Sequence, residues 1–392
     1  MRFVLFILSP FLTFVYSCFD IQKRSSQVIF VLFFALFGYC HNFEDVRADS
    51  YRKSVSFTQY GVQDVEFIID DYRHGDIKDI YESLLFSLLK RFTRNPHLLM
   101  MVVGLFGGLF YMLVVRRFAQ DKRMRYSFPM VILMAFMVME SNIPLLGGIR
   151  NFSAFPLFVY SLIRVMIDGR KWWVVGLMLT PLIHFGYIIA VAATMVIWVF
   201  KIPSHLLHYM AVLACITSIF LDTSSYAGAV GLFVDAVDND SVASRVSNYG
   251  SQDTDIRFNR SLTTQLTRLN NQISALFISI FLIYVRYNRF TLRVTDYTDR
   301  IYRLLLYYLF FSFSLISFSV VGQRFVYIAM VLLYLYMFNI YQDNSSSAVR
   351  WFITLMPLVY MLHIAWTIYN CYSVTGGAIY YMPLPLLLLL SL

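Results

Sequence analysis

The chain has 392 residues, of which 59% are hydrophobic and 14% charged, with a mean hydropathy of +0.63. Soluble proteins carry about 25% charged residues, so the composition excludes a soluble enzyme and points to an all-α polytopic membrane bundle. The formal net charge is +9, but the Lys and Arg excess falls on loops that the positive-inside rule assigns to the cytoplasm, and no nucleic-acid partner is needed to explain it.

A first apolar segment, 3–19, follows Arg2 and ends in VYSC, superficially like a secretory signal with a lipidation cysteine. A second run, 27–43, follows at once after Lys23 and Arg24, so the first is read as an uncleaved membrane helix. Residues 44–95 are polar; within them RADSYRKSVSF and YESLLFSLLKRF are amphipathic and predict helices at the membrane surface. Further spans are drawn at 96–118, 127–147 and 150–167. The run 172–200 decides the topology: two short helices turning near Pro181 and His184 bring every strongly basic loop to the cytoplasmic side, whereas a single helix does not. Spans then follow at 206–221, 273–290, 302–321, 324–341, 350–370 and 378–392. Between the first two lies a polar segment, 222–272, expected to be a mobile loop leading into a polar helix from 258 to 272. The whole chain, 1–392, is read as a single transmembrane domain of about 12–13 segments, some short or re-entrant, with 44–95 and 222–272 on its outer face.

The same topology places Arg150, His184 and Arg324 at helix ends on the outer face. An arginine at the membrane edge costs roughly 3 kcal/mol on insertion scales and is retained where an anion pairs with it; snorkelling to water is the bland alternative for Arg150 and Arg324. His184 has an ordinary pKa of about 6.5, which suits it to orient an anion or to act as a base, or a backbone carbonyl satisfies it at a helix end. Asp49 and Glu82 are candidate bases, since a carboxylate held among aromatic residues near a membrane has a raised pKa. Glu140, a few residues inside a span, is the other acid of interest, with pairing to Arg150 across the IPLLGG bend as the structural alternative to catalysis.

Cys18, Cys40, Cys215 and Cys371 show no CxxC spacing and are read as packing residues. The seven histidines contain no HExxH, and His205 and His208 are read as interface anchors. Neither GxxxxGK[ST] nor a nucleotide-binding glycine fingerprint occurs, so no cofactor is expected.

GIRN at a helix start, the KWW turn, and a helix that ends in histidine before a second short helix resemble the EpsG family, relatives of the Wzy polysaccharide polymerases. RADSY, YESLLFSLL (with Ser83 where the family has proline) and VGQRFVYI extend the resemblance over roughly residues 27–340. The resemblance implies a metal-independent membrane glycosyltransferase of the bacterial inner membrane, with a polymerase/ligase architecture of GT-C-like type and a site facing the periplasm or exterior. It implies a donor glycan on undecaprenyl pyrophosphate, a lipid-linked acceptor repeat unit, and flippase and chain-length regulator proteins as partners. Arg150 and Arg324 would hold the pyrophosphate and His184 would orient it or act as base, with Asp49 and Glu82 as acceptor-activating bases. A lipid-linked oligosaccharide flippase, a glycan ligase, a single-sugar transferase and a noncatalytic scaffold are the alternatives. A transporter usually shows internal repeats and midplane charges, and neither is evident in this sequence; a scaffold predicts that Arg150→Lys is tolerated.

Overall fold

The computed structural model describes residues 2–46, 48–59, 61–77, 79–119, 127–200, 202–220, 262–288, 292, 294–316, 319–344 and 346–390. Among these, every regular element is a helix, as expected where backbone groups must be satisfied without water. Most of the polar segment 222–272, including the expected loop, lies outside the described residues. The chain divides into two compact units, Met1–Thr194 with Trp366–Leu392, and Met195–Ala365.

In the first unit, α1 (Arg2–Leu8) and α2 (Pro10–Phe19) replace the single helix expected over 3–19. Pro10 opens α2 and Ser9 is extended at φ −152°, ψ 91°, because the residue before a proline is pushed out of the helical region. Next come α3 (Arg24–Tyr39), three short helices, α4 (Asp49–Gln59), α5 (Val65–His74) and α6 (Tyr81–Lys90), and then α7 (Pro96–Ala119), α8 (Phe128–Met139) and α9 (Ile149–Leu162). The run expected to break near His184 is two helices, α10 (Val174–Ile183) and α11 (Tyr187–Val199).

α3 and α7 pack backbone to backbone. A Cβ at Gly104 would lie 2.2 Å from the Phe34 carbonyl oxygen, and one at Gly38 2.1 Å from that of Met100, the close approach that small residues permit between membrane helices. One turn along α7, Phe152 of α9 fills the space a side chain at Gly107 would need, and its ring stacks on Phe34 of α3 with centroids 6.4 Å apart. α10 lies along α9, with Gly176 against Ser161 and the Trp173 ring edge-on to Tyr160 at 4.7 Å. At this end, Asp168 accepts from Arg117 Nη2 at 2.7 Å and from Arg164 Nη1 at 2.6 Å, joining α7 to the segment that follows α9. α9 is thereby held along its length, and its opposite end carries Arg150.

The second unit contains α12 (Ser204–Phe220), α13 (Leu262–Tyr287), α14 (Asp296–Ser314), α15 (Ser319–Asn344) and α16 (Ser347–Val359); α17 (Met361–Thr375) leads back to the first unit, where α18 (Leu384–Leu390) lies. The polar residues from 262 onward run without interruption into the apolar part of α13. His208 is no interface anchor: it is buried, with Nδ1 2.9 Å from the Tyr302 hydroxyl.

Among the described residues, four helices are long and apolar enough to cross a membrane alone, Pro96–Ala119, Phe128–Leu145, Arg268–Tyr287 and Arg324–Asn344; Ser347–Val359 with Met361–Thr375, bent by 52°, would make a fifth. Five more apolar helices fall short of the roughly 20 residues a lone span needs. The protein is an all-α polytopic membrane protein.

Candidate active site

α9 starts after Gly148, which has no side chain to cap it, and carries Arg150 in its first turn. A helix N-terminus already bears roughly half a positive charge and unpaired N–H groups, so a guanidinium placed there calls for anions. Asp79 and Glu82 supply them. Arg150 Nη1 donates to Asp79 Oδ2 at 3.0 Å, and Arg150 Nε lies 3.3 Å from Glu82 Oε2. Lys53 of α4 donates to the other Glu82 oxygen, Oε1. His184 Nδ1 lies 4.0 Å from Asp79 Oδ2.

Local structure fixes each member. α10 stops at His184, whose backbone is extended (φ −150°, ψ 110°) while its N–H still bonds back to the Thr180 carbonyl at 2.8 Å. The Ile80 N–H donates to the Leu182 carbonyl at 3.1 Å, which ties the Asp79 segment to the end of α10 beside His184. One residue further, the Tyr81 hydroxyl meets Ser153 Oγ at 3.0 Å, fastening α6 to α9 a turn beyond Arg150. Gly147 receives the start of α4: a Cβ there would lie 2.8 Å from Ser50 Cβ. Lys53 follows Ser50 by three residues and so projects from the neighbouring turn of α4.

The cluster is electrically balanced, with Arg150 and Lys53 against Asp79 and Glu82. The Asp79 side chain is only 3% exposed. Burial pushes its carboxyl above the usual range, with Arg150 opposing the shift and Glu82 adding to it. Arg150, at 37% exposure, is the most open of the five side chains, and among the described residues its Nη2 takes no hydrogen-bond partner. A guanidinium held at two nitrogens and open at the third is oriented to receive an anion, and the imidazole beside it can donate or accept a proton. Among the described residues no group of three or more His, Cys, Asp or Glu side chains is arranged to hold a metal ion.

Of the residues singled out from sequence, Arg150, His184 and Glu82 come together. Asp49 stands apart on α4, 62% exposed and paired with Arg52 at 2.5 Å. Arg324, half-buried on α15, belongs to the second unit. Arg47 of the RADSY stretch lies outside the described residues. Glu140 does not pair with Arg150, because Asp79 and Glu82 occupy the guanidinium; it sits buried at the C-terminal end of α8. Sequence reasoning missed Asp79 and Lys53. The signal for Asp79 was its place three residues before Glu82 at the start of an amphipathic helix, a spacing that puts both carboxylates at one helix end.

No curated protein and no solved structure matches the chain. The EpsG family model matches residues 27–381, a range that holds all five members of the cluster, and the chain belongs to the EpsG family.

Proposed function

We propose that the protein is a polysaccharide polymerase that joins undecaprenyl-pyrophosphate-linked repeat units at the outer face of the bacterial inner membrane. EpsG family membership supports a Wzy-like polysaccharide polymerase in general. The observation that carries the finer reading is the Arg150 guanidinium, held by Asp79 and Glu82 with His184 alongside.

In this reading Arg150 receives the pyrophosphate of the donor glycan. A sugar hydroxyl of the acceptor unit attacks the anomeric carbon; the new C–O bond forms as the bond to the pyrophosphate breaks, and the bonding pair leaves with the lipid pyrophosphate. The hydroxyl proton passes to His184. Catalysis then needs charge stabilisation on the leaving group and a base for the nucleophile, which are the roles of Arg150 and His184. Glu82 holds Arg150 from the side and is itself held by Lys53. Flippase and chain-length regulator proteins would supply the units and limit the chain.

The test is reconstitution in nanodiscs with native lipid-linked repeat units. A product ladder supports a polymerase. One transfer per acceptor would instead identify a ligase or single-sugar transferase, and substrate movement without transfer a flippase.

A further inference from the structure

Two groups reach for a single oxygen of Asp79. Arg150 Nη1 is 3.0 Å from Oδ2 and His184 Nδ1 is 4.0 Å from the same atom. The first is a hydrogen bond and the second falls about 1 Å short of one. We infer that Asp79 is a switched positioning residue, which neutralises Arg150 until a pyrophosphate takes the guanidinium and then closes on His184 to set that imidazole as the base. The inference rests on the proposed polymerase function and deepens it.

Four features support the switch. The backbone next to Asp79 is tied to the end of α10, since Ile80 N–H bonds to Leu182 O at 3.1 Å, so the side chain can turn while that link stays in place. Asp79 is too buried, at 3% exposure, to turn to water when it loses Arg150, and a buried charge without a partner is costly. Among the described residues, the charged and titratable groups facing it are Arg150, Glu82, Lys53 and His184. Glu82 repels it and Lys53 is engaged by Glu82, which leaves His184 as the donor to turn to. Finally, a pyrophosphate presents more charge and more acceptor oxygens than a carboxylate, and a guanidinium favours it accordingly.

With Nδ1–H donated to Asp79, Nε2 carries the lone pair that accepts the proton of the acceptor hydroxyl, and the carboxylate raises the basicity of the ring. The base is thus set only when a donor is seated.

The test uses full-length protein in nanodiscs, inorganic pyrophosphate as the calorimetric probe, and lipid-linked repeat units for turnover. Asp79→Asn keeps the shape and removes the charge. At pH 8 it is expected to bind pyrophosphate at least as tightly as wild type, about 3- to 10-fold tighter where the lost competition dominates, while polymer formation falls roughly 100-fold. His184→Gln is expected to lose polymer formation similarly but without the gain in pyrophosphate affinity, because Asp79 still competes for Arg150 and has lost the partner it closes on. Closing on His184 raises the pKa of the ring, so binding takes up protons: wild-type affinity strengthens from pH 8 to pH 6 more steeply than that of Asp79→Asn. The titration of pyrophosphate itself cancels in the ratio of the two proteins.

The inference is overturned if Asp79→Asn, shown folded by its thermal transition, loses pyrophosphate binding together with activity, since Asp79 would then only brace Arg150. An affinity ratio that stays flat with pH also overturns it. Wild-type protein that neither binds pyrophosphate nor elongates glycan is a separate outcome, which removes the polymerase reading itself.

Discussion

Arg150 Nη1 and Asp79 Oδ2 meet at 3.0 Å although 71 residues separate them in the chain. The contact joins the segment before α6 to the first turn of α9, and it holds the Arg150 guanidinium in place while leaving it partly open. The same carboxylate reaches towards His184, so a single buried acid links the two groups to which the proposed function assigns the chemistry.

Stability should carry the mark of that acid. Asp79 has a folded pKa above its ordinary value, so the folded state holds more protons than the unfolded state between the two values. Its contribution is complete below the unfolded pKa of about 4 and is lost as pH rises through the folded value. Asp79→Asn removes the term, and its melting temperature relative to wild type is expected to rise between pH 4 and pH 7. Thermal scans of both proteins across that range check it; a relative stability that falls with pH contradicts it.

Lys53 and Arg150 act on opposite oxygens of Glu82. Residues that share a partner couple by about 0.5–3 kcal/mol. A double-mutant cycle of Lys53→Ala and Arg150→Ala, read as pyrophosphate affinity, is expected to be non-additive in that range. Strict additivity would mean that Glu82 does not transmit between them.

The turn before α9 discriminates between adjacent glycines. A Cβ at Gly147 would meet Ser50 Cβ at 2.8 Å, whereas at Gly148 the nearest atom is the Leu145 carbonyl oxygen at 3.3 Å. Gly147→Val should displace the start of α4 and with it Lys53, costing on the order of 1–3 kcal/mol as overpacking does; Gly148→Ala should cost less. Thermal unfolding and polymer yield of the two variants are the measurement.

At the far end of α9, Asp168→Ala removes the carboxylate shared by Arg117 and Arg164. Breaking a buried pair from one side costs about 3–5 kcal/mol, so the variant should melt earlier. Because the cluster lies at the opposite end of α9 from Arg150, the pyrophosphate affinity of the protein that remains folded should be unchanged.

Much of this arrangement was legible in the chain. Apolar runs showed the membrane helices, and the break at His184 followed from the basic loops, which fall on one side only if the run 172–200 turns near Pro181 and His184. Arg150 stood out because charge at a membrane helix end is costly. Asp79 did not, because an acid in a polar segment looks solvated until its partner is known, and its partners lie on α9 and at the end of α10. The division at Ser9 was available from Pro10 and was passed over because the hydropathy of 3–19 is continuous. α5 was missed despite Asp64 before it and Gly75 after it at φ +83°, capping residue types whose signal is local and easily lost in a polar stretch. Why Asp49 faces away from the cluster could not be read from RADSY, since the rotation of α4 is set by Ser50 packing on Gly147.

The central claim is that Arg150 binds the donor pyrophosphate and that glycan elongation depends on it. Arg150→Lys keeps the positive charge but replaces the planar fork with a point charge. Reconstituted in nanodiscs with native lipid-linked repeat units and resolved on a gel, wild type is expected to give a ladder and the folded Arg150→Lys protein to lose it by about 100-fold or more. A ladder at wild-type level from Arg150→Lys would contradict the account.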